Sequence, residues 1–296
     1  MENNLSTTML SKEYVQKLLP KRSNFSNKGS YGYVINIAGS LMYPGASYLS
    51  TVAALKVGAG RARLATTTNV IPIVASLTPD ITFLDLGENQ YGTIPKDAIK
   101  CFQGISEPTV YSIGCGLSQV GGVRDFILSF LKQNKNNQTP IIIDADGVNA
   151  MANANSFTVP LNSIITPHPL ELSRLIDVPV EEIQSNRVKY AWEASRELDC
   201  IVLLKGHDSV ISVPNGQIFV NKTGNSALAH AGSGDVLTGM IAGFTAQGLN
   251  LENATCLAVY LHGVCGEIAS RSQTEYGVLA TNLINTIPLA IKELLF

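Results

Sequence analysis

One stretch of the sequence combines a glycine-rich turn with a carboxylate. It reads Ala231-Gly232-Ser233-Gly234-Asp235, and the apolar run 236–244 that follows predicts a buried helix. The first N–H groups of a helix lack internal partners and lie at its positive end, so the turn predicts an anion site suited to a phosphoryl group. A carboxylate beside that anion suits proton transfer, but Asp235 would equally serve as a helix N-cap. The residue types favour neither role.

Short glycine or polar clusters follow nearly every predicted apolar strand. Short apolar strands separated by helices indicate a mainly parallel sheet covered on both faces, which is a three-layer α/β/α sandwich. Ligands of such sheets bind outside the carboxyl ends of the strands, so we expect the clusters to line one rim. The clusters are Gly39-Ser40, Gly114-Cys115-Gly116, Asp144-Ala145-Asp146, Thr166-Pro167-His168 and Lys205-Gly206.

The elements that position these clusters follow from hydrophobic periodicity. The predicted strands are residues 34–38, 63–66, 110–113, 141–143, 164–165 and 201–204. Residues 209–213 and 217–220, joined by Pro214-Asn215-Gly216, predict a β-hairpin. The predicted helices are residues 13–19, 48–57, 126–131, 188–198, 236–247, 252–270 and 281–295. A single domain over residues 1–296 is expected.

Four clusters admit both a chemical and a structural interpretation. Asp144 and Asp146 suit water-mediated Mg²⁺ binding or helix N-capping, and we favour capping. His168, held between two prolines, suits a ligand or proton contact or a structural role, and Glu171 suits capping or a place near a metal. Gly114-Cys115-Gly116 suits a phosphate or ribose site or a tight turn, and the segment 205–209 suits phosphate binding or an exposed turn.

Composition restricts the class of protein. The chain has 296 residues, 45% hydrophobic and 15% charged, as expected of an enzyme with a large core. Its net charge of −2 favours neither nucleic acid nor an anionic membrane surface, and no run is long enough to span a membrane. The polar N-terminus, 1–12, does not predict secretion, and the five cysteines indicate reduced, mostly buried thiols in a cytoplasmic protein.

Several separated motifs together resemble one family. Gly-Ser-Gly-Asp before a buried helix is similar to the anion-hole motif of the ribokinase-like superfamily. The narrower resemblance is to the ADP/ATP-dependent NAD(P)H-hydrate dehydratases, and it covers about residues 10–290. It is carried by Tyr43-Pro44-Gly45-Ala46, Ile113-Gly114-Cys115-Gly116-Leu117, Asp144-Ala145-Asp146, Thr166-Pro167-His168-Pro169, Leu204-Lys205-Gly206 and Thr238-Gly239-Met240. Where the family usually has Pro, this chain has Cys115.

The resemblance implies a stand-alone dehydratase that returns the 6S epimer of hydrated NADH or NADPH to the reduced dinucleotide at the expense of ADP or ATP. It implies that Ala46, Gly116, His168 and Asp235 contact the hydrated dinucleotide, and that Lys205, Gly206, His207, Asp208, Ser209 and Gly234 contact the adenine nucleotide. The N–H groups of Gly232, Ser233 and Gly234 would form the anion hole, with Asp235 as the catalytic base. Mg²⁺ bridging the nucleotide phosphates and a homotetramer are further implications.

Two alternatives remain open from the sequence. A small-molecule kinase of the same superfamily, acting on a vitamin precursor or a sugar, would use the same turn and Asp235. A non-catalytic nucleotide-binding or regulatory protein would keep the fold, but an intact Gly-Ser-Gly-Asp argues against it. The Thr-Pro-His-Pro and Tyr-Pro-Gly-Ala segments favour the dehydratase.

Overall fold

This computed structural model describes residues 6–296 of the chain. The described residues contain one ten-stranded sheet. Its strands are β1 (Ser6–Met9), β2 (Tyr33–Ile37), β3 (Arg61–Thr66), β4 (Thr82–Asp85), β5 (Val110–Ile113), β6 (Ile141–Ile143), β7 (Ser163–Ile165), β8 (Ile201–Leu204), β9 (Ser209–Ser212) and β10 (Gln217–Asn221). They lie in the order β1-β10-β9-β8-β7-β6-β5-β2-β3-β4. Strand β9 is antiparallel to both of its neighbours, and the other pairs are parallel.

Helices cover both faces of the sheet. They are α1 (Lys12–Gln16), α2 (Pro44–Lys56), α3 (Val70–Ala75), α4 (Val123–Gln133), α5 (Asp146–Ala152), α6 (Pro169–Ile176), α7 (Val180–Ser185), α8 (Arg187–Leu198), α9 (Ser233–Ala246), α10 (Leu251–Gly277) and α11 (Ala280–Leu295). Successive side chains of a strand point to opposite faces, so Ile142 joins the core under α2, α9, α10 and α11, while Ile141 and Ile143 join the core under α4, α5 and α8. The predicted three-layer α/β/α sandwich is confirmed.

Most predicted elements are present, with differences at their ends. Strands β5, β6 and β8 have the predicted bounds, and the predicted hairpin is formed by β9 and β10. Helix α2 begins at Pro44, four residues before the predicted start, because proline is well suited to the first position of a helix. The edge strands β1 and β4 and the short helices α3 and α7 were not predicted.

Helices α2 and α9 pack closely in front of the strands that carry the site. A Cβ placed on Gly239 would lie 2.0 Å from the main-chain oxygen of Ser50, so only glycine allows this approach of the two helices. A Cβ placed on Gly243 would likewise lie 2.4 Å from the main-chain oxygen of Ala54, so Gly239 and Gly243 both serve the packing of α9 against α2. The start of α9 is therefore fixed against α2.

Two other expectations concern the chain as a whole. All five cysteines are free thiols, four of them buried, as predicted. Of the polar N-terminal segment, the first five residues lie outside the described residues. Within residues 6–296, no helix combines the length and the apolar character that a membrane crossing requires.

Candidate active site

The predicted clusters meet at one edge of the sheet. Strands β8, β7, β6, β5 and β2 are consecutive parallel neighbours, so the segments after them leave the sheet on the same side. Direct contacts join these segments: Gly39 donates its N–H to the Cys115 carbonyl at 2.9 Å, and the Ser40 hydroxyl donates to the Gly116 carbonyl at 2.9 Å. Lys205 donates its N–H to the Pro167 carbonyl at 2.9 Å. The rim predicted from the sequence is confirmed.

The glycine turn opens helix α9 toward this rim. Gly232 is the N-cap residue with φ of 89°, a left-handed conformation that glycine adopts readily, and no side chain caps the helix. Ser233, Gly234 and Asp235 are the first three helical residues, whose N–H groups have no acceptor inside the helix. The alternative that Asp235 caps this helix is wrong, because the carboxylate stands in the first turn and leaves these N–H groups free for an anion.

The Asp235 carboxyl is largely buried next to other ionisable groups. Burial, helped by the nearby Asp144 carboxylate, raises the pKa of Asp235 to about 6, and the Cys115 thiol and Lys205 oppose this rise. The ligand atoms of Cys115, Asp144 and Asp235 all lie within 4.8 Å of one another. A carboxylate with a pKa just below neutral is deprotonated at pH 7 and still has appreciable basicity, which suits a general base.

Asp144 is the centre of a buried hydrogen-bond network. Its carboxylate accepts from Lys205 Nζ at 2.6 Å, from the Thr238 hydroxyl at 2.6 Å and from the Thr166 hydroxyl at 2.7 Å. Burial alone would raise the pKa of Asp144, but Lys205 and the two hydroxyls hold that pKa below its ordinary value. The preferred interpretation of Asp144 and Asp146 as N-caps is wrong, since Ala145 is the N-cap residue of α5 and no side chain makes a capping bond there.

Lys205 reaches the glycine turn. Its ammonium nitrogen would lie 3.5 Å from a Cβ placed on Gly234, and its side chain is only 17% exposed. Burial alone would lower the pKa of Lys205, but the carboxylates of Asp144 and Glu171 hold it above the ordinary value. Lys205 is therefore a fixed positive charge next to the free N–H groups at the start of α9.

A cavity of about 470 Å³ opens beside Asp235. It brings together three of the residues predicted to contact the hydrated dinucleotide, namely Ala46, Gly116 and Asp235. A Cβ on Gly116 would lie 2.7 Å from Ala46 Cβ and 2.9 Å from Tyr43 Cβ, so the cavity wall leaves no room for a side chain at this position. The remaining lining residues are Tyr43, Ser118, Gln119, Val120 and Asp146.

His168 stands at the same rim but outside the lining of this cavity. It is the N-cap residue of α6, where its Nδ1 accepts from the N–H groups of Leu170 at 3.2 Å and Glu171 at 3.3 Å. Glu171 returns the contact by accepting the His168 N–H at 2.8 Å, so the capping role considered for Glu171 is present. Because Nδ1 accepts, the proton of the neutral ring lies on Nε2, which is 3.5 Å from Glu171 Oε1 on a half-exposed side chain.

The loop after β8 holds the other residues predicted to contact the nucleotide. The guanidinium of Arg187 donates to the carbonyls of Leu204 at 3.0 Å and Lys205 at 3.1 Å, which holds the start of the loop. Ser209 donates its hydroxyl to the Gly206 carbonyl at 2.9 Å, while the His207 side chain is 96% exposed. Lys205 is thus the inward-facing member, and 206–208 form an exposed turn beside it.

The sequence analysis gave His262 no part in the site, but the structure places it against the glycine turn. Its Nε2 lies 3.0 Å from the Ser233 carbonyl and 3.2 Å from the Ser233 hydroxyl. Burial lowers the pKa of His262 to about 4, so the ring is neutral and Nε2 must carry the proton that the carbonyl accepts. The apolar helix around it gave no signal of this contact, because its partner is 29 residues earlier in the chain.

The donor atoms of the rim do not form a magnesium site of their own. Among the described residues, the group with suitable spacing is Cys115, Asp144 and Asp235. Mg²⁺ prefers six oxygen ligands, whereas one member of this group is a thiol and another already accepts three hydrogen bonds. This set therefore does not fit Mg²⁺ as a resident ion.

The parallel sheet, the uncapped glycine turn and the acid beside it define a ribokinase-like α/β protein. A solved structure of a ribokinase-like superfamily protein from Enterococcus faecalis matches with a TM-score of 0.85 and 27% identity, covering 97% of this chain and 96% of the other. The chain belongs to the NAD(P)H-hydrate dehydratase family, whose sequence profile matches residues 34–289.

Two relatives show how much of each chain is covered by the similarity. The bifunctional NAD(P)H-hydrate repair enzyme of Moorella thermoacetica is 36% identical over 291 residues, 97% of this chain but 54% of the relative. The chain thus spans about half the length of that relative. The crystal structure of the ADP/ATP-dependent NAD(P)H-hydrate dehydratase of Bacillus subtilis, co-crystallised with ATP and Mg²⁺, is 34% identical with a TM-score of 0.85 and covers 99% of both chains.

Proposed function

We propose that the protein is a hydro-lyase that dehydrates the 6S epimer of hydrated NADH or NADPH at the expense of ADP or ATP. Family membership supports the reaction. The observation in the structure that carries it is the juxtaposition of Asp235, the free N–H groups at the start of α9 and the cavity over Ala46 and Gly116. This arrangement has a base, an anion hole and a space for the acceptor in one place.

The reaction needs a better leaving group than hydroxide. In the proposed mechanism, Asp235 takes the proton of the C6 hydroxyl group. At the same time, the oxygen of that hydroxyl group attacks the terminal phosphoryl group of the nucleotide. The N–H groups of Gly232, Ser233 and Gly234 stabilise the charge on the transferring phosphoryl group, and AMP or ADP leaves. Loss of phosphate from C6 and of a proton from the neighbouring ring carbon then restores the dihydronicotinamide ring.

Lys205 supplies the fixed positive charge for the nucleotide phosphates. The ammonium group lies next to Gly234 and is held there by its ion pair with Asp144. It is therefore already in place at the start of α9 before the nucleotide binds. The exposed turn formed by Gly206, His207 and Asp208 lies beside it, and this turn and Ser209 at the start of β9 would contact the rest of the nucleotide. His168, as an Nε2–H donor at the rim, would bind an acceptor oxygen of the hydrated dinucleotide.

Mg²⁺ has a place in this proposal only as part of the nucleotide. Cys115, Asp144 and Asp235 do not fit Mg²⁺, so the ion would arrive bound to phosphate oxygens of the nucleotide. No step of the proposed mechanism depends on a protein ligand to Mg²⁺. A single domain, a homotetramer and a cytoplasmic location remain proposals that rest on the family resemblance and, for the location, on the free cysteines.

The experiment is to incubate the protein with the 6S epimer of hydrated NADH plus ADP or ATP and follow the return of the reduced-nicotinamide absorbance. The expected result is a nucleotide-dependent return of absorbance, with one phosphate released for each dinucleotide restored. Phosphoryl transfer to a vitamin precursor or sugar, without any return of absorbance, would instead establish the kinase alternative and refute the dehydratase.

A further inference from the structure

A second groove, of about 570 Å³, continues from the Asp235 cavity. The two spaces share the lining residues Ser118, Gln119 and Asp146, so the groove begins where the cavity ends. The cavity accounts for the part of a hydrated dinucleotide that reacts, but a dinucleotide also carries a diphosphate and an adenosine. These parts have to leave the cavity along a surface that continues from it.

We propose that this groove binds the distal half of the hydrated dinucleotide, with Arg124 contacting its diphosphate. The inference rests on the proposed function, because it places the reacting nicotinamide in the Asp235 cavity. It assigns the substrate a direction, from Asp235 past Asp146 to the start of α4.

Hydrogen-bonding groups follow one another along the groove. Asp146 accepts the Ser118 N–H at 2.7 Å through Oδ2, and its Oδ1 accepts from the Gln119 amide at 3.4 Å. The Gln119 side-chain oxygen in turn lies 3.4 Å from the Asn153 amide, and Arg124 donates to the Asn153 carbonyl at 3.3 Å. Asp146, Gln119, Asn153 and Arg124 thus form a continuous polar line leading away from Asp235.

The order of these groups matches the order of groups in a dinucleotide. With the ring at Asp235, the first ribose reaches Asp146, whose weakly engaged Oδ1 can accept from a ribose hydroxyl. The diphosphate follows, and Arg124 is the cation among the residues that line the groove. Asp125 also lines the groove, with Oδ1 3.9 Å from Arg124 Nε, so the positive charge available to the diphosphate is partly offset.

The test compares Arg124→Ala with Lys132→Ala, which removes the same charge from the far end of the same helix. Arg124→Ala should raise KM for hydrated NADH about tenfold, as expected for loss of one charge-assisted contact to a phosphate, with kcat and KM for ADP unchanged. Arg124→Lys should restore most of the affinity, and Lys132→Ala should match the wild type.

A shortened ligand separates a local effect of Arg124 from a general one. Inhibition by NADH should weaken about tenfold in Arg124→Ala, whereas inhibition by dihydronicotinamide riboside, which ends at the first ribose, should be unchanged. An unchanged KM for hydrated NADH, an equal loss for the riboside, or a raised KM for ADP would each overturn the inference. If the wild type has no dehydratase activity, the proposed function fails. Calorimetric measurement of NADH binding to Arg124→Ala and Lys132→Ala then still tests whether the groove binds a dinucleotide through Arg124.

Discussion

Acidification tests the role of Asp235 without changing the chain. The proposed mechanism requires the Asp235 carboxylate, and burial raises its pKa to about 6 from an ordinary value of 3.8. The base is then about nine-tenths ionised at pH 7 and about one-tenth ionised at pH 5. We therefore expect kcat to be nearly level above pH 7 and to fall about tenfold for each unit below pH 6.

Glu171 is a second carboxyl at the rim that titrates in this range, because burial raises its pKa to about 7. Glu171→Gln removes that titration while keeping a side chain that can accept the His168 N–H. The acid limb of the profile should persist near pH 6 in this variant if it belongs to Asp235.

The assay measures initial rates of NADH formation by chromatography at saturating substrate and ADP from pH 5 to pH 8. Asp235→Asn serves as the blank at each pH, which corrects for acid-promoted loss of NADH. A kcat that stays near its plateau down to pH 5 would refute the reasoning, since it would mean that Asp235 has an ordinary pKa or that another group takes the proton.

Three substitutions test the surroundings of the base. Lys205→Met should raise KM for ADP by about tenfold or more and KM for hydrated NADH much less, as measured by steady-state kinetics, and equal losses for both would argue against its place at the phosphates. Gly232→Ala should lower the free energy of unfolding by ~2 kcal/mol in urea, because φ of 89° is costly for alanine and its Cβ would lie 2.7 Å from Leu49 Cδ1; an unchanged midpoint would contradict this. Asp144→Ala should cost ~3–5 kcal/mol by leaving Lys205 buried and unpaired, and the double variant with Lys205→Met should recover part of it; a double variant no more stable than Asp144→Ala would contradict that cause.

The strands nearest the site were the most predictable part of the fold. Strands β6 and β8 are continuous apolar runs, and β5 is apolar except for Ser112, because both faces of these strands are covered. Each is followed by polar or glycine residues. Strands β1 and β4 lie at the two edges of the sheet, and their partly exposed residues leave no clear apolar run. Their pairing depends on distant neighbours that a local pattern does not reveal.

The position of the site was predictable, but the network around it was not. Parallel strands place their carboxyl ends together, so a common rim followed from the order of elements alone. The role of Asp144 depends on Thr166, Lys205 and Thr238, which are 22, 61 and 94 residues away in the chain. The local sequence predicted helix capping for Asp144, because its three partners come close to it only in the folded chain.

The central claim is that Asp235 removes the hydroxyl proton while the glycine turn beside it holds the phosphoryl group. The most direct measurement is kcat of Asp235→Asn with hydrated NADH and ADP, together with the Kd for ADP by calorimetry. The account predicts a fall in kcat of ~10²-fold or more with little change in Kd. A variant that turns over at close to the wild-type rate would contradict it.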